Sequence, residues 1–572
     1  MSTSEVETNQ HVSDDATPAG VLADRKTLQE AHAKGRGATL AAFVKLSGPG
    51  WLQSAITLGG GSLAGSLYLG VIGGYQFMWL QPLMMILGIV MLSAISYVTL
   101  STGERPFGAI NRHVNPVLGW GWLIAAMMAN LVWAMPQFSL GTAAIQQNLL
   151  PGVIDGRGGE WLCAGVLLVV ASVIIWFYDS GGKGVRVFEW VVKIMVGIIV
   201  LSFFGVVAAM ASKDGLDWGA IFAGFVPDFS LLTRPADGLQ PFIEASGDSA
   251  YWTDAVLSTQ RERMIAAAAT AVGINMTFLL PYSMLRKGWD KTFRGLAVFD
   301  LSTGLFIPFL LATSCVVIAA ATQFHAQYDD AEIDTPAAET TGGYRKNLEA
   351  RVVAEVGATE FDEMDTAQKN AAIDALPQAD KQLAAMLVTR DAFALAGSLE
   401  RLFGSGGATQ LVFGVGVLGM AISTIITLML INGFCVTEML DAPSGGRLHR
   451  IGAFLPGVTG ALGFLFLWSN AEAKFWLAVP TSNFGMVLLP IAYVTFFLMM
   501  NSRSLMGASM LTGGSRVAMN LAMLLAIVVA SVGAGMSIWA NIGWYGVALV
   551  AVFAVLALFA YLIRPPSMGM PR

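Results

Sequence analysis

Long uncharged runs dominate the chain. Twelve of them, at about 42–75, 76–101, 116–146, 160–178, 187–211, 264–285, 296–323, 407–437, 451–469, 475–500, 517–539 and 542–563, have roughly 18 residues or more. As helices, each is long enough to cross about 30 Å of hydrocarbon. The pattern therefore predicts an all-α polytopic membrane protein with about twelve transmembrane helices. Two of these runs are interrupted. Span one contains Thr57-Leu58-Gly59-Gly60-Gly61-Ser62, and span six contains Gly273-Ile274-Asn275-Met276-Thr277 followed by Pro281. Each glycine costs about 1 kcal/mol relative to Ala inside a helix. Backbone that leaves the helix at membrane depth survives only when it is buried in protein or lines a polar cavity.

The two interruptions are five spans apart. Matched breaks in two five-span halves point to a 5+5 inverted repeat with two further C-terminal helices, and to a substrate site between the breaks. Around this core, residues 1–40 read as a polar cytoplasmic segment. Residues 41–323 hold spans one to seven with an outer loop at 213–262. Residues 324–406 form an extracytoplasmic helical insertion, 407–563 spans eight to twelve, and 564–572 a cytoplasmic tail. Gln368–Leu387 carries Ala, Leu and charged residues at helical spacing, which is why the insertion reads as helical.

Composition narrows the class. Of 572 residues, 55% are hydrophobic and 13% charged, and the mean hydropathy is +0.62. Cys163, Cys315 and Cys435 all fall in apolar runs and read as small buried hydrophobes. Residues 1–40 contain no apolar core for a cleavable signal, so the first span is expected to direct insertion. Lys and Arg alternate from loop to loop. Arg105 and Arg112, Lys183 and Arg186, Arg286, Lys287, Lys291 and Arg294, Arg447 and Arg450, and Arg503 and Arg516 share one side, while the short loops opposite show only Arg157 and Lys474. The positive-inside rule then puts both termini in the cytoplasm, with the protein multi-pass in a plasma or inner membrane. There is no P-loop, no Gly-x-Ser-x-Gly and only five His, which argues against an ATP-driven pump, an enzyme or a bound cofactor. Nothing indicates nucleic acid; the expected partners are the bilayer and a small ion or solute. Oligomeric state is not legible.

Several segments resemble the Nramp family of proton-coupled divalent metal transporters. Ser47-Gly48-Pro49-Gly50-Trp51-Leu52-Gln53-Ser54 is similar to the family's opening of span one, and Tyr282-Ser283 to its His-Ser in span six. Gly419-Met420-Ala421-Ile422-Ser423-Thr424-Ile425 with Glu438 resembles its span eight. Leu448-His449-Arg450 with Pro456, and Arg503-Ser504-Leu505-Met506-Gly507, complete the series. The resemblance implies a LeuT-type fold and metal symport. Where the family's first break reads Asp-Pro-Gly-Asn, this chain has Gly59, Gly60, Gly61 and Ser62. Where its second reads Met-Pro-His, this chain has Asn275, Met276 and Thr277, and one step of register would put Met276 on the family's Met. Span three lacks the family's acidic residues and offers only Asn130 and Gln137 as polar residues of any length.

The expected substrate-binding set is Thr57, Gly59, Gly60, Gly61, Ser62, Asn275, Met276 and Thr277, with Ser62, Asn275 and Met276 as metal ligands. It contains no carboxylate, so it suits a hydrated or partly hydrated ion better than a bare one. A glycine-rich half-helix start also suits a carboxylate or zwitterion, so a small organic solute is an alternative cargo, and a non-transporting membrane sensor a third reading. Ionisable residues inside spans are functional candidates. Glu189 and Lys193, four apart on one helix face, are expected to pair. With Asp300 and Asn130 they are the candidates for coupling.

Overall fold

The computed structural model describes residues 19–179, 182–214, 216–388, 408–443, 446–467 and 471–563. Residues 1–18 of the polar segment, 389–406 of the insertion and the 564–572 tail lie outside the described residues. Among the described residues there is no strand. Among the described residues eleven helices are long and apolar enough to cross a membrane, and a bent pair, Pro49–Thr57 with Gly60–Phe77, adds a twelfth span broken by 57°. The polar N-terminal segment is partly helical, as Ala19–Lys34 and Arg36–Leu46. Arg25 donates to Asp290 at 2.9 Å and ties this segment to the loop after span six.

Span eight (Ala408–Met439) packs against spans three, five and nine and against the first half of span one. Span one thus sits between span eight and span seven, whose helix is interrupted by a π turn at Leu301–Leu305. A π turn releases a carbonyl from the helical ladder. Here the hydroxyl of Ser54, on the first half of span one, donates to Gly304 O at 2.6 Å.

Span six differs from its sequence-based limits. Its first half begins at Ser249 and runs to Ala269, so the outer loop ends well before residue 262. Gln260, Arg261, Glu262 and Arg263 mimic a loop in the sequence, yet the structure uses them inside the helix. Gln260 is fully buried; it accepts from Ala236 N and donates to Leu231 O and Arg234 O. The Arg263 guanidinium lies 4.5 Å from the Tyr68 ring centre. Residues 216–248 are thereby strapped along this half-helix. In the strap, the Ser230 hydroxyl and backbone N–H hold the Asp228 carboxyl below its ordinary value.

The insertion contains helices Asp330–Ile333, Gly342–Val356, Ala358–Glu363, Thr366–Asp374 and Gln378–Met386. The helical spacing of 368–387 is therefore split in two, and Pro377 is the N-cap of the second piece. Asp380 fastens the insertion to span six. Its carboxylate, fully buried, accepts from Gly247 N at 2.7 Å, Trp252 Nε1 at 2.9 Å and Arg351 Nε at 2.8 Å. Breaking a buried pair by removing one partner costs about 3–5 kcal/mol, because the other charge stays uncompensated. Asp380→Ala should therefore open residues 330–388 to protease at a temperature where the parent is still protected. Protection equal to the parent's would show that the pair does not hold the insertion in place.

Candidate functional site

The first half of span one is held at its start by span seven. Gly48 and Gly50 present backbone N–H groups that the helix itself cannot satisfy. Asp300 accepts both in one carboxylate oxygen, at 3.1 and 2.6 Å, and its other oxygen accepts from the Ser47 hydroxyl. A carboxylate at a helix start also meets the positive end of the dipole. A Cβ on Gly50 would lie 2.2 Å from Asp300 O, so only glycine allows this approach. Asp300 thus caps a helix other than its own, and it does not line the cavity between the breaks.

Glu189 and Lys193 do not bond each other as their spacing suggested. Glu189 pairs with Lys287 at 2.9 Å, and Lys193 donates to Ser47 O at 2.8 Å. The turn between spans six and seven carries Lys287 to Glu189, a partner that helical spacing within span five could not reveal. Together with Asp300, these groups enclose Ser47–Gly50.

The two breaks face one cavity of about 80 Å³, room for a few waters or a small ion with part of its shell. Its lining includes Thr57, Gly59, Gly60, Gly61, Ser62, Asn275 and Met276, as the sequence led one to expect, together with Trp133, Gln137, Thr270 and Thr424. Thr277 is not among the lining residues. It sits in the first turn of the second half of span six (Ile274–Arg286) and accepts from Trp122 Nε1 at 2.9 Å. Asn130 is fully buried with neither amide atom partnered among the described residues, and it also lies off the lining. Gln137, two turns along span three, reaches the cavity instead. Thr424 belongs to the Ser423-Thr424 pair already noted in span eight, but the sequence did not indicate that span eight faces the break.

The helix ends around this cavity are not equivalent. Of the last four carbonyls of Pro49–Thr57, Ser54 O is taken by Leu58 N and Ala55 O by the Thr424 hydroxyl. Ile56 and Thr57 end this half-helix, and both belong to the cavity lining. By contrast, Gly60 N, at the start of the second half, donates to Gln137 Oε1 at 3.0 Å. In span six, Met276 N donates to Asn275 Oδ1 at 2.9 Å and to Gly273 O. Asn275 Nδ2, buried, has no partner among the described residues. The Met276 sulfur shares the Thr57 hydroxyl proton with Gln53 O, at 3.1 and 2.9 Å, and receives Gly273 N at 3.4 Å. Its role as a free thioether ligand is accordingly reduced. The Ser62 hydroxyl donates to Gly59 O at 2.9 Å, leaving its own oxygen as an acceptor. No group of three or more His, Cys, Asp or Glu that could hold a metal occurs among the described residues.

The three glycines have different reasons to be there. A Cβ on Gly59 would lie 2.4 Å from Thr424 Oγ1, and one on Gly60 2.9 Å from Leu140 and 3.1 Å from Gln137 Oε1. On Gly61 it would meet only a Thr270 methyl at 3.4 Å, an ordinary contact. Gly59→Ala should therefore destabilise by about 1–3 kcal/mol through overpacking. Gly61→Ala should be neutral or stabilising by up to about 1 kcal/mol. Thermal unfolding of the two variants in detergent checks the contrast; equal shifts would contradict it.

Comparisons with known proteins agree with this architecture. A family model described as Natural resistance-associated macrophage protein-like, Nramp, matches residues 50–340, slightly more than half the chain. The metal transporter Nramp3.1 of Populus trichocarpa is 30% identical over 159 residues. The metal transporter Nramp2 of Arabidopsis thaliana is 28% identical over 160. These stretches cover 27% of this chain and only 30% and 28% of the relatives' own lengths. Among solved structures, a variant of the Eremococcus coleocola manganese transporter superposes with a TM-score of 0.61 at 12% identity, covering 91% of this chain and 95% of that one. The same transporter bound to an aromatic bis-isothiourea compound gives 0.58 at 13%. At such identity the likeness is one of fold, the LeuT-type fold with its two broken spans. By the family match, and with the motifs in the expected order along that fold, the chain belongs to the Nramp family.

Proposed function

We propose that this protein is a secondary transporter that carries a hard divalent metal ion, still partly hydrated, through the cavity between the breaks of spans one and six. The relatives' names, metal transporters and a manganese transporter, point to metal cargo. The observation that carries the reading is the negative end of the helix Pro49–Thr57, whose Ile56 and Thr57 line the cavity, beside a Gly60 N and a Met276 N that already have acceptors. Helix ends carry roughly half a charge each, and peptide carbonyls are the oxygen ligands that hard cations favour. Half a charge does not offset a bare divalent ion, which is why part of the water shell stays. Soft ions gain less, since the Met276 sulfur already meets Gly273 N and a shared Thr57 hydroxyl.

Alternating access would follow from hinging at the two breaks, with the basic loops, and so both termini, on the cytoplasmic side. The cavity lining contains no carboxylate or histidine to carry a proton, so transport need not move protons by the family's route.

A thermal-shift series with the purified protein tests the cargo, since stabilisation scales as RT ln(1 + [L]/Kd). Mg²⁺ and Mn²⁺ should raise the midpoint more than Cd²⁺, while formate and glycine should not raise it. Proteoliposomes should take up the stabilising ion saturably with no imposed pH gradient. Stabilisation by formate or glycine alone would replace the metal reading with an organic solute.

A further inference from the structure

We propose that Gln53 and Asn130 serve the inward half of the cargo path, as two side-chain amides that meet the hydrated ion when it leaves the cavity for the basic face. The inference extends the transport reading above and rests on it. Toward that face the way is closed by stacked rings. Trp122 and Phe278 lie 4.4 Å apart between ring centres, Phe278 and Tyr282 4.7 Å, and Tyr282 and Phe434 5.7 Å. The stack joins spans three, six and eight, and none of its rings is more than 2% exposed. At its inner end the Tyr282 hydroxyl accepts from Phe107 N at 3.3 Å, two residues from Arg105 on the basic side.

Two amides stand on this side of the cavity. On span three, Asn130 comes between Trp122 of the stack and Gln137 of the lining. It precedes Gln137 by seven residues, about 10 Å along the helix and only about 20° around it. On span one, Gln53 comes one turn before Thr57, about 6 Å nearer the basic face. The second half of span six packs against both helices. Gln53 and Asn130 are each fully buried. Among the described residues they are the two buried amides with neither atom partnered. Gln81 and Gln260, equally buried, bond through both ends. A buried amide left unmet loses its hydration for nothing, so leucine would suit the closed state better at either position. The amides gain partners once the stack parts and water enters. There an amide oxygen accepts from a cation's shell waters, or replaces one of them on the ion.

Gln53→Leu and Asn130→Leu, made singly in the full-length protein, test this through three readouts. Each variant should melt no lower than the parent in detergent, because the closed state loses an unmet group. Mn²⁺ affinity by titration calorimetry should stay within twofold, since neither residue lines the cavity. The maximal rate of Mn²⁺ uptake into proteoliposomes should fall about tenfold, equivalent to about 1.4 kcal/mol on the barrier. A variant that melts lower or fails to yield monodisperse protein would show that the amide supports the closed state, and overturns the proposal. Uptake within twofold of the parent, with Mn²⁺ binding intact, removes the role of the two amides and leaves the cargo reading standing. A parent that neither binds nor takes up Mn²⁺ brings down the cargo reading and this proposal with it.

Discussion

Hydrocarbon offers no hydrogen bonds to an open backbone group, and this fold opens two helices in its middle. Every other element can be read as a response to that constraint. Span three supplies Gln137 and Trp122, span eight supplies Thr424, and each reaches a group that the breaks would leave exposed. One buried side-chain donor of the breaks, Asn275 Nδ2, is left without a partner among the described residues.

The broken span is also fixed differently at its two ends. At the basic face the first half of span one is gripped by Asp300, Lys193 and the Gly304 carbonyl, all from other spans. At the cavity it is held mainly by Thr424 and Met276. The grip at the basic face is charged and buried, and the one at the cavity is neutral. Movement that releases the first half must therefore exchange charged bonds for water, whereas loosening the cavity contacts exchanges only neutral ones.

Much of this was legible in the residues. Glycine and proline breaks in apolar runs mark local departures from helix, and twelve such runs define the span count. Seven of the eight residues expected to bind substrate line the cavity, because the breaks themselves are local features. Thr277, named in that set, lies one turn beyond the lining: the break in span six is at 270–273, and its partner Trp122 is 155 positions away. Gln137 and Thr424 come from unbroken helices, whose facing direction depends on packing that a single apolar run does not encode. The same holds for Lys287 with Glu189, a pair made by a turn bringing two spans together. Charged residues inside span six hid its true start, because the strap that satisfies them is itself irregular.

Asp380 joins the insertion to the far end of a half-helix whose other end meets the cavity. That half-helix has 21 residues, or about 32 Å at the α-helical rise. A tilt of about 10° at the cavity end would swing its far end by roughly 5 Å, calculated from that rise. Because Asp380 holds Gly247 and Trp252 directly, the insertion has to travel with that end. It is geared to the site as a pointer is to its pivot, so a rotation too small to see at the cavity becomes a displacement large enough to register on the surface.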